Sequence, residues 1–338
     1  MAKKFYYMLS GNYEELSLAE LKALIEIFEP NNKIKEYYTM ICIVEHDSPN
    51  IPRKIVKRAG YVKEAGILID IDDPYTGPSE TIVGEIKDLT ENATWIKSTI
   101  VKGTVEDNTA KKYVEKLSSK LGLNTKYRYG RPLRLVFSDG LVFIGLPVAV
   151  LDTRSFYQRR PSIRPFFRSI ALPVQLSRAL VNLSRVKPGE TLLDPFMGTG
   201  SILIEAGLMG IKPLGIEIDW KIIHGARENL DFYGINATIV LGDARKIPFM
   251  DIDGIATDPP YGRAASTHGE SSRTIYEEFI TSAAESLKNK RYMVFMAPDH
   301  IVDLIDEFLC NAGFIITETH YMYVHGGLTR AIYVVYKP

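Results

Sequence analysis

Thr191-Leu192-Leu193-Asp194-Pro195-Phe196-Met197-Gly198-Thr199-Gly200-Ser201 joins a short apolar run to a helical pattern. It reads as a strand, a tight glycine loop and a helix from Ser201 to Met209. Gly198 and Gly200 let the main chain come close to a ligand. The helix turns its N-terminus, with its unpaired N–H groups, towards that ligand's carboxylate. A methionine-derived cofactor fits such a site. Glycine loops of this kind also hold NAD, but that fingerprint places a third glycine where this chain has Leu203.

Two acids follow, each closing a short apolar strand. Glu217 ends Pro213-Leu214-Gly215-Ile216-Glu217 and suits the two hydroxyls of a ribose. Asp243, in Leu241-Gly242-Asp243-Ala244-Arg245, suits an adenine amino group. Either acid alone is an ordinary solvated strand end or helix cap. The order Asp194, Glu217, Asp243, Asp258, one per βα unit, is what gives the pattern weight.

The fourth acid lies in Thr257-Asp258-Pro259-Pro260-Tyr261-Gly262. An exocyclic amino group on a nucleobase is a poor nucleophile because its lone pair is delocalised into the ring. A carboxylate at Asp258 accepts one of its N–H hydrogens, and a Pro259 carbonyl held between fixed prolines accepts the other, which turns the lone pair out of the ring plane. Tyr261 offers a face on which an unstacked base can lie. The same hexapeptide also reads as a Pro-Pro turn after a buried strand.

The surrounding pattern predicts a doubly wound α/β sheet. Helix Pro173 to Arg185, strand Thr191 to Asp194, the glycine-loop helix, helix Trp220 to Tyr233 and strands Thr238 to Leu241 and Gly254 to Thr257 come in turn. Helix Thr274 to Leu287, strand Tyr292 to Met296 and helix Asp299 to Asn311 continue it. Phe314 to Val324 and Ala331 to Tyr336, around His325-Gly326-Gly327, predict a terminal hairpin. The acids then sit at carboxyl ends of strands, where open α/β sheets bind ligands. Gly262 to Ser272, with Arg263, His268 and Glu270, reads either as a loop closing over a bound base or as a plain connection.

The N-terminal half has another rhythm. Phe5 to Leu9 reads as a strand, and Ser17-Leu18-Ala19-Glu20 as a capping box opening a helix through Phe28. Strands Tyr38 to Val44 and Gly66 to Ile71 flank a basic helix, Pro52 to Ala59, which suggests a small ferredoxin-like α+β unit. A second unit has strand Trp95 to Val101 and a lysine-rich helix Asn108 to Leu121 ended by Gly122. Its strands Leu133 to Phe137 and Leu141 to Val150 pair through Ser138-Asp139-Gly140.

The 338 residues suggest about two domains, and 46% hydrophobic with 24% charged residues is ordinary globular composition. Net charge is zero, so a nucleic-acid partner has to be argued from local patches. Lys111, Lys112, Lys116 and Lys120, then Lys126, Arg128, Arg131 and Arg134, form one such patch, or else a solvated helix face with strand-edge charges. Asp152 to Arg168 interleaves Arg154, Arg159, Arg160, Arg164 and Arg168 with Phe156, Tyr157, Phe166 and Phe167. Arginines with aromatics suit RNA, and a linker packed on its neighbours reads the same way. Phe166 and Phe167 are expected near the cofactor. Cys42 and Cys310 lie in apolar patterns and read as core fillers of a reducing compartment, with a bridge between them left open. The six histidines lack ligand spacing, so no metal is expected. Met1-Ala2-Lys3-Lys4 leads into a strand rather than a leader, and Leu141 to Leu151 is too short to span a bilayer. The expectation is a cytoplasmic protein.

With these residues in view, the C-terminal half resembles class I S-adenosylmethionine-dependent amino-methyltransferases. The Asp-Pro-Pro-Tyr form resembles most the archaeal tRNA guanosine-10 N2-methyltransferases. Related tRNA guanosine-6 and DNA adenine enzymes usually carry Asn in place of Asp258. Arg160-Pro161-Ser162-Ile163-Arg164-Pro165-Phe166 and Leu172-Pro173 resemble the family's cofactor-covering segment. The resemblance implies S-adenosylmethionine held by Phe166, Leu172, Asp194, Pro195, Phe196, Gly198, Thr199, Gly200, Glu217, Ile218, Asp243, Ala244 and Asp258. Catalysis falls to Asp258, Pro259, Pro260 and Tyr261. It implies tRNA as partner, met by Lys112, Lys116, Lys126, Arg128, Arg131, Arg154, Arg159, Arg160 and Arg263, and a monomer as the default. It further implies a ferredoxin-like domain over 1–62, an RNA-gripping THUMP domain over 63–151, a basic aromatic linker over 152–170 and a methyltransferase domain over 171–338. Methylation at another tRNA guanosine or in rRNA, and a non-catalytic RNA-binding protein, stay as alternatives. Whether one methyl or two are added is open.

Overall fold

The computed structural model describes residues 2–89, 93–101, 103–126, 128–169, 171–260, 272–325 and 328–338. The chain divides into two compact units, Met1–Lys57 with Tyr61–Leu151, and Arg58–Gly60 with Asp152–Pro338.

The first unit runs β1 (Lys3–Leu9), α1 (Glu14–Phe28), β2 (Glu36–Tyr38), β3 (Ile41–His46), α2 (Asn50–Arg58), whose last residue belongs to the second unit, and β4 (Val62–Asp72). It continues with α3 (Glu80–Leu89), β5 (Ala93–Ile100), α4 (Asp107–Leu121), β6 (Arg131–Ser138) and β7 (Leu141–Val150). All seven strands form one sheet, ordered β2-β3-β1-β4-β7-β6-β5. The residues expected to form separate ferredoxin-like (1–62) and THUMP (63–151) units share one continuous sheet, joined where β1 pairs antiparallel with β4. α3, which the sequence reading did not find, packs Ile82, Val83 and Ile86 with Tyr113 and Leu117 of α4 against Leu133, Leu135 and Ile144.

Two local signals lost to tertiary structure. α1 begins at Glu14, three residues ahead of the expected capping box, so Ser17 and Glu20 lie inside the helix. The Ser17 hydroxyl donates to the Tyr13 carbonyl, and the Glu20 carboxylate accepts the Tyr61 N–H at 2.7 Å. The expected strand Tyr38 to Val44 is instead a hairpin. Met40 turns it with φ 62°, and β2 pairs back on β3.

A charged cluster lies within this sheet. Gly66 and Gly145 leave room for the Tyr6 ring, which a Cβ at either would overlap at 2.4 or 2.7 Å. The Tyr6 hydroxyl donates to Glu64 at 2.7 Å, and the Arg134 guanidinium meets the same carboxylate at 2.8 Å. Arg134 also donates to the Lys97 carbonyl and the Thr99 hydroxyl. Burial and the Glu64 charge hold the Tyr6 phenol well above its ordinary range.

The second unit runs α5 (Thr153–Tyr157), a 3₁₀ turn at Pro161–Ile163, α6 (Val174–Leu183), β8 (Thr191–Asp194), α7 (Ser201–Leu208), β9 (Lys212–Glu217) and α8 (Trp220–Phe232). Then come β10 (Thr238–Leu241), β11 (Gly254–Thr257), α9 (Ser272–Ser286), β12 (Arg291–Pro298), a 3₁₀ turn at Asp299–Ile301, α10 (Val302–Asn311), β13 (Ile315–His325) and β14 (Leu328–Lys337). The sheet order is β10-β9-β8-β11-β12-β14-β13, with β10 to β12 parallel and β14 antiparallel to both neighbours. The strands and helices that the sequence pattern placed are present, with ends shifted by up to three residues, and α5 lies within the expected linker. β11 is buried along its whole length, as a strand covered on both faces must be. Its core joins Leu193, Ile216 and Ile255 to Tyr276, Phe279, Phe295 and Phe308. The strand order reverses between β8 and β11, which opens a crevice beyond their carboxyl ends.

Cys42 is buried in β3, whereas Cys310 is exposed on α10 and fills no core; both are free thiols. Among the described residues no helix is long and apolar enough to cross a membrane, and no cluster of three or more His, Cys, Asp or Glu is arranged to hold a metal.

Candidate active site

The loop after β8 takes its shape from its glycines. Gly198 has φ 49° and Gly200 φ 81°, a left-handed backbone that a side chain would strain. The Gly200 N–H donates to the Met197 carbonyl at 2.8 Å, and the Met197 N–H donates to the Ile216 carbonyl of β9 at 3.1 Å. Asp194, at the head of this loop, is 2% exposed. Its carboxylate accepts from the Thr257 hydroxyl at 2.6 Å and from the Phe196 N–H at 3.2 Å. Burial outweighs both bonds and pushes the carboxyl from 3.8 up to about 7, with the nearby Asp258 and Glu217 charges adding to the rise.

Glu217, at the end of β9, accepts the Gly198 N–H and the Asp219 N–H, each at 3.1 Å. It is thus tied to the glycine loop, and burial raises its pKa. Ile218 beside it is exposed, as is Trp220 at the start of α8. Asp243, one strand further out, is gripped by Arg245. The guanidinium donates to both carboxylate oxygens at 2.6–3.0 Å, and the Arg245 N–H adds a bond at 3.0 Å. Arg245 holds the Asp243 carboxyl below its usual range. Ala244 is buried in the core beneath.

Asp258 emerges from β11 at the order reversal, followed by the buried Pro259 and the half-buried Pro260. Tyr261 and Arg263, together with the rest of the expected loop to Ser271, lie outside the described residues. The Asp258 carboxylate is 3.9 Å from the Arg330 guanidinium on β14, both side chains being 16% exposed. Its charge also reaches Tyr276 on α9, whose hydroxyl donates to the Met296 carbonyl at 3.1 Å.

Phe166 is tied to α8 through its main chain. Its N–H donates to the Asn229 side-chain oxygen, and the Asn229 amide donates to the Phe166 carbonyl, both at 2.9 Å. The same amide donates to the Thr199 carbonyl at 3.0 Å. The Phe166 ring fills the space a side chain at Gly225 would need, only 2.2 Å from such a Cβ. Phe167 is exposed, against the expectation that it packs. Leu172, Pro195 and Thr199 are buried, and Phe196 packs edge-on against Phe279 at 5.2 Å.

Several arginines expected at RNA are committed inside the protein. Arg159 forms a two-pronged ion pair with Glu205 at 2.9 and 3.2 Å, and Glu205 is fully buried with Arg178 on its other side at 2.7 Å. Arg164 is 5% exposed and donates to the Ser201 hydroxyl at 2.6 Å. Arg134 belongs to the Glu64 cluster. A buried carboxylate needs a cation, and that requirement captures Arg159 and Arg134. Arg154 is exposed, and Arg160 is half-buried, 3.8 Å over the Tyr157 ring. Lys112, Lys116, Lys126, Arg128 and Arg131 are exposed. Arg245, Arg330, Glu205 and Asn229 escaped the sequence reading. Only Arg245, two residues from an acid already singled out, carried a local signal.

Acids at successive strand ends, a glycine loop under the first and an Asp-Pro-Pro turn at the order reversal define a Rossmann-type methyltransferase domain, and residues 161–332 match the RMKL-like methyltransferase domain. Over almost its full length the chain is 35% identical to the tRNA (guanine(10)-N2)-dimethyltransferase of Methanothermobacter thermautotrophicus, covering 97% of this chain and 98% of that one. It is 31% identical to the enzyme of the same name from Pyrococcus abyssi, covering 98% and 99%. The chain belongs to the tRNA (guanine(10)-N2)-methyltransferase family. The crystal structure of TrmN from Thermus thermophilus has the same fold, with a TM-score of 0.58 at 16% identity over 99% of this chain and all of that one.

Proposed function

We propose that the protein methylates the exocyclic N2 of guanosine 10 in tRNA, first to N2-methylguanosine and then to the dimethyl form, with S-adenosylmethionine as donor. The observation that carries this reading is Asp258 at the carboxyl end of β11, one strand from the glycine loop and Asp194.

The residues present fit the cofactor. Gly198 and Gly200 leave two positions of the loop without side chains, and the first turn of α7 directs N–H groups at a carboxylate. Glu217 has roughly four acceptor positions; main-chain N–H groups of Gly198, Ile218 and Asp219 approach it, and the remaining capacity suits a ribose hydroxyl. Ile218 is exposed, and Asp243, held by Arg245, would meet the adenine. When bound, the cofactor supplies an electrophilic methyl on sulfur.

The protein's own part is to present the amine. Guanine leaves its stack, as a base must when its exocyclic atoms are the target. Asp258 accepts one N2 hydrogen and the Pro259 carbonyl the other, and the carboxylate stabilises positive charge as it builds on nitrogen. Tyr261 is proposed as the stacking face. Lys112, Lys116, Lys126, Arg128, Arg131 and Arg154 are the RNA contacts this reading retains, with residues 63–151 as the THUMP domain, 1–62 as the ferredoxin-like domain and 152–170 as the linker. A cytoplasmic monomer accords with it.

Mass-spectrometric mapping of methyl groups on an unmodified tRNA transcript, incubated with the protein and labelled S-adenosylmethionine, tests the reading. Methyl and dimethyl on N2 of guanosine 10 is the expected result. Methyl at another guanosine keeps the chemistry and overturns the position, and binding of tRNA and cofactor without transfer overturns the activity.

A further inference from the structure

The two outermost acids of the site are each served by an arginine, in different ways. Arg245 closes on Asp243 with hydrogen bonds of 2.6–3.0 Å. Arg330 places a guanidinium nitrogen 3.9 Å from an Asp258 carboxylate oxygen, an ion-pair distance at which it lends charge to the acid. Arg330 reaches this place through strand register. It lies opposite Pro298 in the β12–β14 ladder, past the level at which β11 delivers Thr257 opposite Phe295.

We propose that Arg330 is a positioning residue for Asp258, holding the carboxylate ionised where the target amine meets it. Among the described residues, the ionisable groups that interact with Asp258 include Asp194 from β8, Tyr276 from α9 and Arg330 from β14. Asp194 repels a charge on Asp258, and neither Asp194 nor Tyr276 can supply a positive one. Arg330 supplies it, with both partners mostly withdrawn from water, where screening is weak. An ionised carboxylate is an acceptor only, which matches an amino group carrying two hydrogens. Protonated, Asp258 would turn an O–H towards that amine. The assignment rests on the reading of Asp258 as the group that receives the substrate's amino group.

The test is the single-turnover rate of methyl transfer to the tRNA transcript from pH 4.5 to 9 for wild type, Arg330→Gln and Arg330→Lys. Thermal melting and S-adenosylmethionine binding serve as controls for fold. Removing a positive neighbour raises an acid's pKa, so in Arg330→Gln the acid limb moves up by about one pH unit. The rate then drops roughly tenfold at low pH and much less at high pH, with cofactor affinity kept within about twofold. Arg330→Lys keeps the charge and the limb. In an Asp258→Asn background, Arg330→Gln adds little, because the residue acts through the group already neutralised. An acid limb that stays in place while the rate falls equally at every pH overturns the assignment and leaves Arg330 a structural residue. Equal losses from Arg330→Gln with and without Asp258→Asn overturn it too. A wild-type protein that transfers no methyl overturns the functional reading and this assignment together, whereas an active wild type with an unmoved limb overturns the assignment alone.

Discussion

Glu64 in the first unit and Asp258 in the second are both carboxylates of a seven-stranded sheet facing an arginine on a nearby strand. Glu64 lies mid-sheet, 2% exposed, with Arg134 at 2.8 Å and Tyr6 at 2.7 Å, and every distance is that of a closed hydrogen bond. Asp258 sits just past a strand's end, 16% exposed, with Arg330 at 3.9 Å. In the antiparallel part of the first sheet, side chains reach sideways across the sheet face, and charge is neutralised there. In the parallel sheet every strand delivers its last residue to the same edge, so Asp194, Glu217, Asp243 and Asp258 gather where a ligand binds. Glu64 is therefore part of the core, whereas the acids at the carboxyl ends of the second unit's parallel strands belong to the proposed site, and Glu205 on α7 is paired internally like Glu64.

Substitutions should separate the two kinds of acid. Asp258→Ala is expected to cut turnover by ~10³-fold or more while tRNA affinity stays within a few-fold, since the role proposed for the carboxylate is on the reacting amine rather than in RNA binding. Loss of tRNA binding at unchanged single-turnover rate would reverse the comparison. Glu64→Ala, which strands Arg134 and Tyr6, should cost about 3–5 kcal/mol in urea unfolding and leave cofactor affinity in the folded protein unchanged. A cost below about 1 kcal/mol would mean that water reaches the cluster.

Asp194 sharpens the contrast through pH. Its folded-state pKa of about 7 exceeds the ordinary 3.8, so the native state holds a proton that the unfolded chain has lost. The stability this contributes is complete below about pH 4 and is lost as pH rises through 7. Asp194→Asn cannot ionise, and its amide oxygen can still accept from Thr257 and Phe196. It should stabilise the protein by up to a few kcal/mol at pH 8.5 and by under about 1 kcal/mol near pH 4.5, at a cost in cofactor binding. Equal unfolding midpoints at both pH values would place Asp194 with the solvated acids. The smallest effect is expected from Lys112→Ala with Lys116→Ala on exposed α4. Affinity for tRNA should fall a few-fold and the salt slope of binding by up to ~2, with the transfer rate at saturation unchanged.

The second unit was legible in the sequence because its signals are local. Parallel strands are short apolar runs, each ends in its acid, and the glycines of the loop are required by the main chain alone. The first unit was less so. Glu20 and Ser17 match a capping box, yet Glu20 is claimed by the Tyr61 N–H from a strand it meets only in the folded state. The arginines show the same difficulty within the second unit. Arg159 and Arg154 look alike among aromatics, and what separates them is Glu205, fully buried on α7, which binds the first and not the second. Arg330 was invisible for the same reason, its partner being fixed by the register of a strand far along the chain.

Asn229 has a bearing on how this chain can vary over time. It grips residue 166 by the peptide groups, which every amino acid but proline offers alike, and holds Thr199 by its carbonyl. The docking of the segment onto the glycine loop is thus written in one amide side chain rather than in the docked residue. Position 166 is free to drift among rings and aliphatics that fit over Gly225, whereas position 229 is not, since Asp would lose the donor and Leu would lose both. A sequence survey should find the constant letter on the helix and the changing one on the segment it holds.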